Sequence, residues 1–407
     1  MGKICFFSPT RVSSCTNRFT LYLSPFTLQA SSVKRFLAVV FCLFTVALLS
    51  ACKDGSRAEK KIKRDTAATE IEGSLIFKNV TLDQADEKGH PLWKVKSKQA
   101  IYTKDRKLGN VESPTGDLFQ DGKVVLRVSA DNGEIRENGQ QIFLKGHIVA
   151  TDTRNGAVFQ GDELEWHPKE DLLIVRNNLK CNHPKLQASA KEGRYFSRKQ
   201  QMELFGQVAA LSKDPDLQMK TEHLIWQIKE QMVMGDKRIQ MERYKGKIVT
   251  DRVEADKSKL NQKTKIVILK QNVQLTSIDP PLLMSSNSAV WNINAQTVLS
   301  DQPVRIFHQK ENVVLTANHG QVDLQRKVAN LTGGVQGFSS RNQAKLLANQ
   351  MTWDIPTQNI QASGNVIYQQ VNPPLTTTGP TAAGKLQDQS IVVTSAPGKR
   401  VVTEIIP

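Results

Sequence analysis

Cysteine, aromatic residues and helix signals are all scarce in this chain. Of 407 residues, five are Cys (Cys5, Cys15, Cys42, Cys52 and Cys181) and 6% are aromatic. Four of the five cysteines precede residue 53, so no disulfide framework is expected in the body. Apolar residues make up 39%, which is lean for one deep core and fits a layered β-array better than a globular α/β enzyme. The seven histidines, His90, His147, His167, His183, His223, His308 and His319, form no H-x-H or H-x-x-x-H pair, so a short-spacing metal site is unsupported. Gly333-Gly334 is followed by neither a helix start nor Lys-Ser/Thr, which excludes a phosphate loop. There is no nucleophile elbow. The acidic cluster Asp162, Glu163 and Glu165 reads as a solvated strand face rather than an acid and base pair. No catalytic residue, metal or cofactor is expected, and the chain reads as a non-enzyme.

Charge narrows the partners. The net charge of +16 falls to +11 when the five basic residues of positions 1–51 are set aside. A basic surface suits anionic lipid or phosphate as well as plain solubility. No aromatic-rich basic patch is present to stack bases, so no nucleic-acid partner is expected.

The apolar run that stands out lies near the front. Val33-Lys34-Arg35 precedes Phe36 to Leu49, an export signal of short positive segment and apolar stretch. It ends Leu49-Ser50-Ala51-Cys52, which resembles the bacterial lipobox, where the cysteine is lipidated and becomes the mature N-terminus; lipidation of Cys52 would leave Cys181 as the one free thiol. The other reading is an uncleaved anchor, for which the run is short against a span of about 20 residues. Both place the body outside the cytoplasm, tethered to a membrane. The run is far from Met1 for a leader, so translation is expected to start near Val33. Residues 1–51 are therefore a signal or anchor segment, and 52–70, charged and small, a flexible tether.

Beyond the tether the chain repeats. Trp166, Trp226, Trp291 and Trp353 recur in step with Ala130, Ala190, Ala255 and Ala317, both series stepping by 60, 65 and 62 residues. An anchoring branched aliphatic splits this period: Ile148, Leu179, Val208, Ile239, Val273, Val304, Val335 and Val366 are separated by 31, 29, 31, 34, 31, 31 and 31 residues. Thirteen positions before each anchor stand Ile135, Trp166, Tyr195, Trp226, Leu260, Trp291, Val322 and Trp353. The unit is about 31 residues, repeated eight times over an array placed at 71–396, with 397–407 as a tail.

Apolar residues alternate around the anchors, as in Ile142, Leu144, Ile148 and Ala150, which predicts strands with one buried face. Thr221 to Met234 tolerates helix, but the register of Trp226 makes it strand. Two positions before the anchors stand Gly146, Asn177, Gly206, Lys237, Gln271, Gln302, Gly333 and Gly364, predicting a bend or bulge there. If each unit adds one strand to each of two facing sheets, eight units stack to about 40 Å, with open edge strands at both ends. Ser97 to Tyr102 echoes the tryptophan-type signature at the front, with Tyr102 in place of Trp, and a short strand, Ile391 to Thr394, follows at the back.

The segments "LKGHIVATD", "LFGQVAAL", "LTGGVQGF" and "IQASGNVIY", serially repeated after an anchor, resemble the OstA-like repeats of the lipopolysaccharide transport family. With its anchor the chain looks most like the LptC branch, over about residues 71–370. The resemblance implies an all-β fold, an elongated open, taco-like β-jellyroll of two facing antiparallel sheets. It implies a periplasmic protein anchored to the inner membrane, which takes lipopolysaccharide from the inner-membrane ABC transporter subunits and passes it to the bridge protein LptA by edge-strand pairing. On that reading an apolar groove is lined by Leu144, Ile148, Leu179, Leu204, Val208, Ile239, Leu269, Val273, Val304, Leu331, Val335 and Val366. The array is longer than one jellyroll requires, which suggests that the chain does part of the bridge's work. Alternatives from the same residues are an LptA-like lipid conduit, the periplasmic portion of the outer-membrane assembly protein LptD, for which no barrel strands follow, and a structural envelope lipoprotein whose β-scaffold binds proteins only.

Overall fold

The computed structural model describes residues 69–405, except 72–73, 104–107, 137–138, 280, 342, 386–387, 389 and 396–400. The export signal, Cys52 and the tether as far as residue 68 lie outside the described residues. Among the described residues there is no α-helix, and 29 antiparallel strands join in one hydrogen-bonded sheet. The helix-tolerant stretch is strand, as its register requires: Asp216–Gln227 and Met232–Gly235.

One sheet becomes two facing layers because its long strands bend in the middle. The strand Gln141–Asp152 pairs through Gln141–Lys145 with Asn132–Arg136, and through Val149–Asp152 with the neighbouring strand Lys123–Ser129. The bend is a bulge, and it sits where the sequence puts it. Register shifts lie just before Ile148, Leu179, Val208, Val273, Val335 and Val366. The two residues inside each bulge have left-handed backbone: Gly146 and His147, Asn177 and Asn178, Gly206 and Gln207, Gln271 and Asn272, Gly333 and Gly334, Gly364 and Asn365. Glycine suits the first of these positions for two reasons. At Gly364 the φ is +79°, and a Cβ would lie 2.7 Å from Asn349 Nδ2. In the other two units, at Lys237 and Gln302, the chain breaks rather than bulges, giving separate strands Met232–Gly235 and Ile239–Lys245, then Thr297–Ser300 and Val304–His308.

Return strands turn the same corner with a single residue. Asp162, Lys191, Glu222, Asn287 and Asn349 each fall in such a step, opposite a bulge. A unit is thus a pair of bent strands, each running through both layers, and it adds two strands to each layer. The sequence-based estimate of one strand per layer is corrected accordingly: roughly 21 levels at about 4.8 Å make a stack on the order of 100 Å, not 40 Å.

Both ends carry more strand than the periodicity predicts. Thr69–Ile71 pairs with Ser74–Ala85, and Val402–Ile405, inside the expected tail, pairs with Leu375–Lys385. The short strand expected near the back is Ser390–Thr394. Tyr102 does take a tryptophan-type place: it pairs with Gly109, which pairs with Ile135. A Cβ on Gly109 would enter the Tyr102 ring at 2.5 Å, so the glycine makes the space that the larger ring fills.

Candidate functional site: an apolar track between two layers

Cross-strand pairing aligns the repeated residues into rows. The tryptophan positions form one unbroken ladder on the inner face of the first layer: Ile135, Ile142, Trp166, Leu173, Tyr195, Met202, Trp226, Val233, Leu260, Val267, Trp291, Val298, Val322, Ala329 and Trp353. Every one is buried. Two residues nearer the bend runs a second row with Gly133, Leu144, Leu164, Val175, Gly193, Leu204 and Leu224, then Ser258, Leu269 and Ala289, then Ser300, Gly320, Leu331 and Met351.

Across the bend, the anchors begin the second layer. Ile148, Leu179, Val208, Ile239, Val273, Val304, Val335 and Val366 each face a small or β-branched partner, Gly161, Ala190, Thr221, Ala255, Ser286, Ala317, Ala348 and Gly379. All twelve residues expected to line a groove therefore lie on the inner faces beside the bend, and all are between 0 and 3% exposed. They are covered by the protein's own side chains. The contact crosses from layer to layer: a Cβ on Gly193 would meet Leu179 Cδ2 at 2.4 Å, and one on Gly320 would meet Val304 Cγ2 at 2.8 Å. The glycines leave room for the anchors opposite, at small cost in area. A further inner row of the second layer, missed by the anchor count, holds Phe159, Cys181, Ala188, Ala210, Met219 and Met241. Cys181 is buried in this row, and that burial pushes its thiol up to about 12.

At the edge away from the bend, polar groups join the turns of the two layers. Tyr195 donates to Asp152 at 2.6 Å, Arg154 pairs with Asp152 at 2.5 Å and donates to the Ser197 carbonyl at 2.8 Å, and Asn155 donates to Gln200 at 3.2 Å. Asp152 is fully buried, so this carboxylate depends on both partners. Burial first, and then Asp152, raise the Tyr195 hydroxyl pKa, which keeps it a donor. Farther along, Gln262 accepts from the Trp226 indole at 3.3 Å and donates to Ser212 at 3.0 Å, and Lys327 pairs with Asp279 at 2.8 Å. His308 packs on Trp353, ring centroids 5.6 Å apart, and its Nε2 accepts from the Gln358 amide Nε2 at 3.3 Å. Sequence periodicity does not point to this seam, because its members sit in turns and share no spacing. In the tryptophan ladder, the buried Trp166 and Trp291 indole N–H groups have no acceptor among the described residues.

The lipopolysaccharide-assembly, LptC-related family matches this chain three times in succession, over residues 37–174, 171–250 and 250–340. The chain belongs to this family. LptC-related membership makes it a component of lipopolysaccharide transport in the periplasm. The second and third matches each span two to three of the 31-residue units, so the serial matches follow the repeat. Among solved structures, the chain is similar to LptH from Pseudomonas aeruginosa, the LptA homologous periplasmic component of the lipopolysaccharide transport device. That likeness has 14% identity and a TM-score of 0.29, and covers 32% of this chain and 97% of that one. No curated protein matches the chain.

Proposed function

We propose that the chain receives lipopolysaccharide from the inner-membrane ABC transporter subunits and carries it in the apolar track between its layers towards a bridge protein of the LptA type. The observation that carries this reading is the unbroken buried ladder from Ile135 to Trp353, apolar along its whole length, with the anchors Ile148, Leu179, Val208 and Ile239 beside it across the bend. Each buried methylene is worth about 0.8 kcal/mol, so an acyl chain of about a dozen carbons needs on the order of 10 kcal/mol of shelter to cross water. A continuous track gives that shelter at every step; isolated pockets would not. The unpartnered Trp166 and Trp291 indoles support the same reading, since a buried donor left unpaired costs about 1–3 kcal/mol and an acyl ester carbonyl would relieve it.

Delivery by strand addition is supported by the strand edges at the two ends, Thr69–Ile71 at the front and Ser390–Thr394 and Val402–Ile405 at the back. The family match begins at residue 37, inside the apolar run, which supports an anchor near the inner membrane with Cys52 at its end. The length of the stack supports a share in the bridging itself. One observation favours a second reading, a structural lipoprotein that binds proteins only: the track is filled by its own side chains, as in a closed sandwich. Photo-crosslinkers at Leu204, Leu269, Leu331, Val273, Val335 and Val366 decide between them. Transport predicts adducts with lipopolysaccharide at several of these positions, whereas capture of protein alone at all of them selects the scaffold.

A further inference from the structure

The outer side of the bend changes character along the stack. Single-residue corners in the first part are charged, with Asp131, Asp162, Lys191, Glu222 and Asp256; the later ones are the amides Asn287, Asn318 and Asn349, and then Pro380. Several of the carboxylates are engaged locally, as in His147 with Asp131 at 2.7 Å and Arg238 with Asp256 at 3.0 Å. Where the amides take over, the ridge is indented by a cleft of about 610 Å³. The break in the strand before Pro303 lies in its wall, where the Pro303 carbonyl accepts from Ser286 at 3.0 Å.

The lining has one sign of charge. Of its fourteen residues one, Arg305, is cationic and none is acidic. Arg305 is exposed, lies over the Phe307 ring at 5.6 Å, and has no carboxylate partner among the described residues. Thr316 and Gln336 continue the row that Arg305 begins, because pairing sets these three side by side on the outer face. One row farther out, Phe307, Val314 and Phe338 are aligned in the same way, and Phe338 is 44% exposed. Carboxamides and hydroxyls both give and accept hydrogen bonds, a guanidinium binds phosphate in a bidentate fork, and a ring offers an apolar platform. Together they match a sugar that bears a phosphate.

We propose that this cleft, whose wall includes Val273 and Val304 of the apolar track, binds a phosphorylated saccharide on the outside of the bend. The proposal rests on the lipopolysaccharide reading for the source of that sugar: the head group would be held in water here while acyl chains are sheltered inside. Replacement of corner carboxylates by Asn287 and Asn318 removes the repulsion that an anion would meet at that place in the ridge.

The test uses the exported chain and the phosphorylated oligosaccharide left by alkaline deacylation of lipopolysaccharide, titrated by calorimetry. Because this probe has no acyl chains, its binding is independent of the track, and its failure leaves the crosslinking result untouched. Saturable binding is expected, weakened about tenfold or more by R305Q and by the double change N287D/N318D, with R305K intermediate. All three positions are exposed, and circular dichroism verifies the fold of each variant. Dephosphorylated oligosaccharide and inorganic phosphate should each bind the unaltered chain at least about tenfold more weakly. No binding of the probe, binding by either variant as tight as by the unaltered chain, or equal affinity for inorganic phosphate alone would each overturn the proposal.

Discussion

Replacing Gly320 with Ala puts a methyl group 2.8 Å from Val304 Cγ2 in the opposing layer and 3.1 Å from Cδ2 of Leu331, its neighbour in the same row. Gly320 belongs to one layer and Val304 to the other, so the pair measures whether the layers touch across the track. Alone, Gly320→Ala overpacks the site, at a cost of about 1–3 kcal/mol. Alone, Val304→Ala removes two buried methyl groups, about 1.6 kcal/mol of transfer and somewhat more with the space left behind. In the double variant the new methyl enters that space, so the combined loss should fall short of the sum by about 1 kcal/mol. Global unfolding of a repeat stack need not be two-state, so the readout is native-state hydrogen exchange in the strands Val304–His308 and His319–Asp323. Losses that add to within about 0.5 kcal/mol would refute the contact, and with it the facing arrangement of the layers at this level.

Three further outcomes follow from single sites. Asp152→Ala should destabilise the seam by about 3 kcal/mol, because it leaves Arg154 without its buried partner, and limited proteolysis in the 153–157 and 197–200 turns should rise with it. Gly364→Ala should cost about 1–3 kcal/mol through its left-handed backbone and the Asn349 contact, whereas Asn177→Gly at the equivalent position should be neutral or mildly stabilising in the same melts. His147 hydrogen-bonds Asp131, and that bond together with its charge raises the imidazole pKa above 6.5. The folded state therefore binds the proton more tightly than the unfolded chain, so the stabilising contribution is present below pH 6.5 and fades as pH rises through the raised value. An NMR titration should show the midpoint above 6.5, and Asp131→Asn should bring it back.

How much of this was legible in the sequence depends on whether the constraint recurs. Period two and the 13-residue offset place Trp166, Trp226, Trp291 and Trp353 in one row because every bent strand repeats the same inner face. The bend itself was visible as Gly146, Gly206, Gly333 and Gly364, since a left-handed backbone selects glycine. What the offset does not reveal is that the return strand bends too. Its corner needs one residue of ordinary backbone, so Asp162, Glu222 and Asn349 leave no common signature, and the number of strands per unit was halved. Seam contacts such as Tyr195 with Asp152 join residues 43 apart through turns that differ in every unit, and no period marks them.

The three family matches meet near residues 171–174 and at residue 250, and the pairing across both meeting points is continuous. Val158–His167 pairs with Leu172–Asn182 at the first, and Ile239–Lys245 with Ile248–Ala255 at the second. Separate modules joined edge to edge would each lose translational and rotational freedom, an estimated cost of about 4–15 kcal/mol per junction. Here the same strand-to-strand contacts form within one chain, where the connecting turn holds the edges at a high effective concentration. Fusion of repeats thus fixes the length and register of the stack. It also keeps the inner row in phase, because a slip of one residue at a junction would expose the whole apolar face of every strand beyond it.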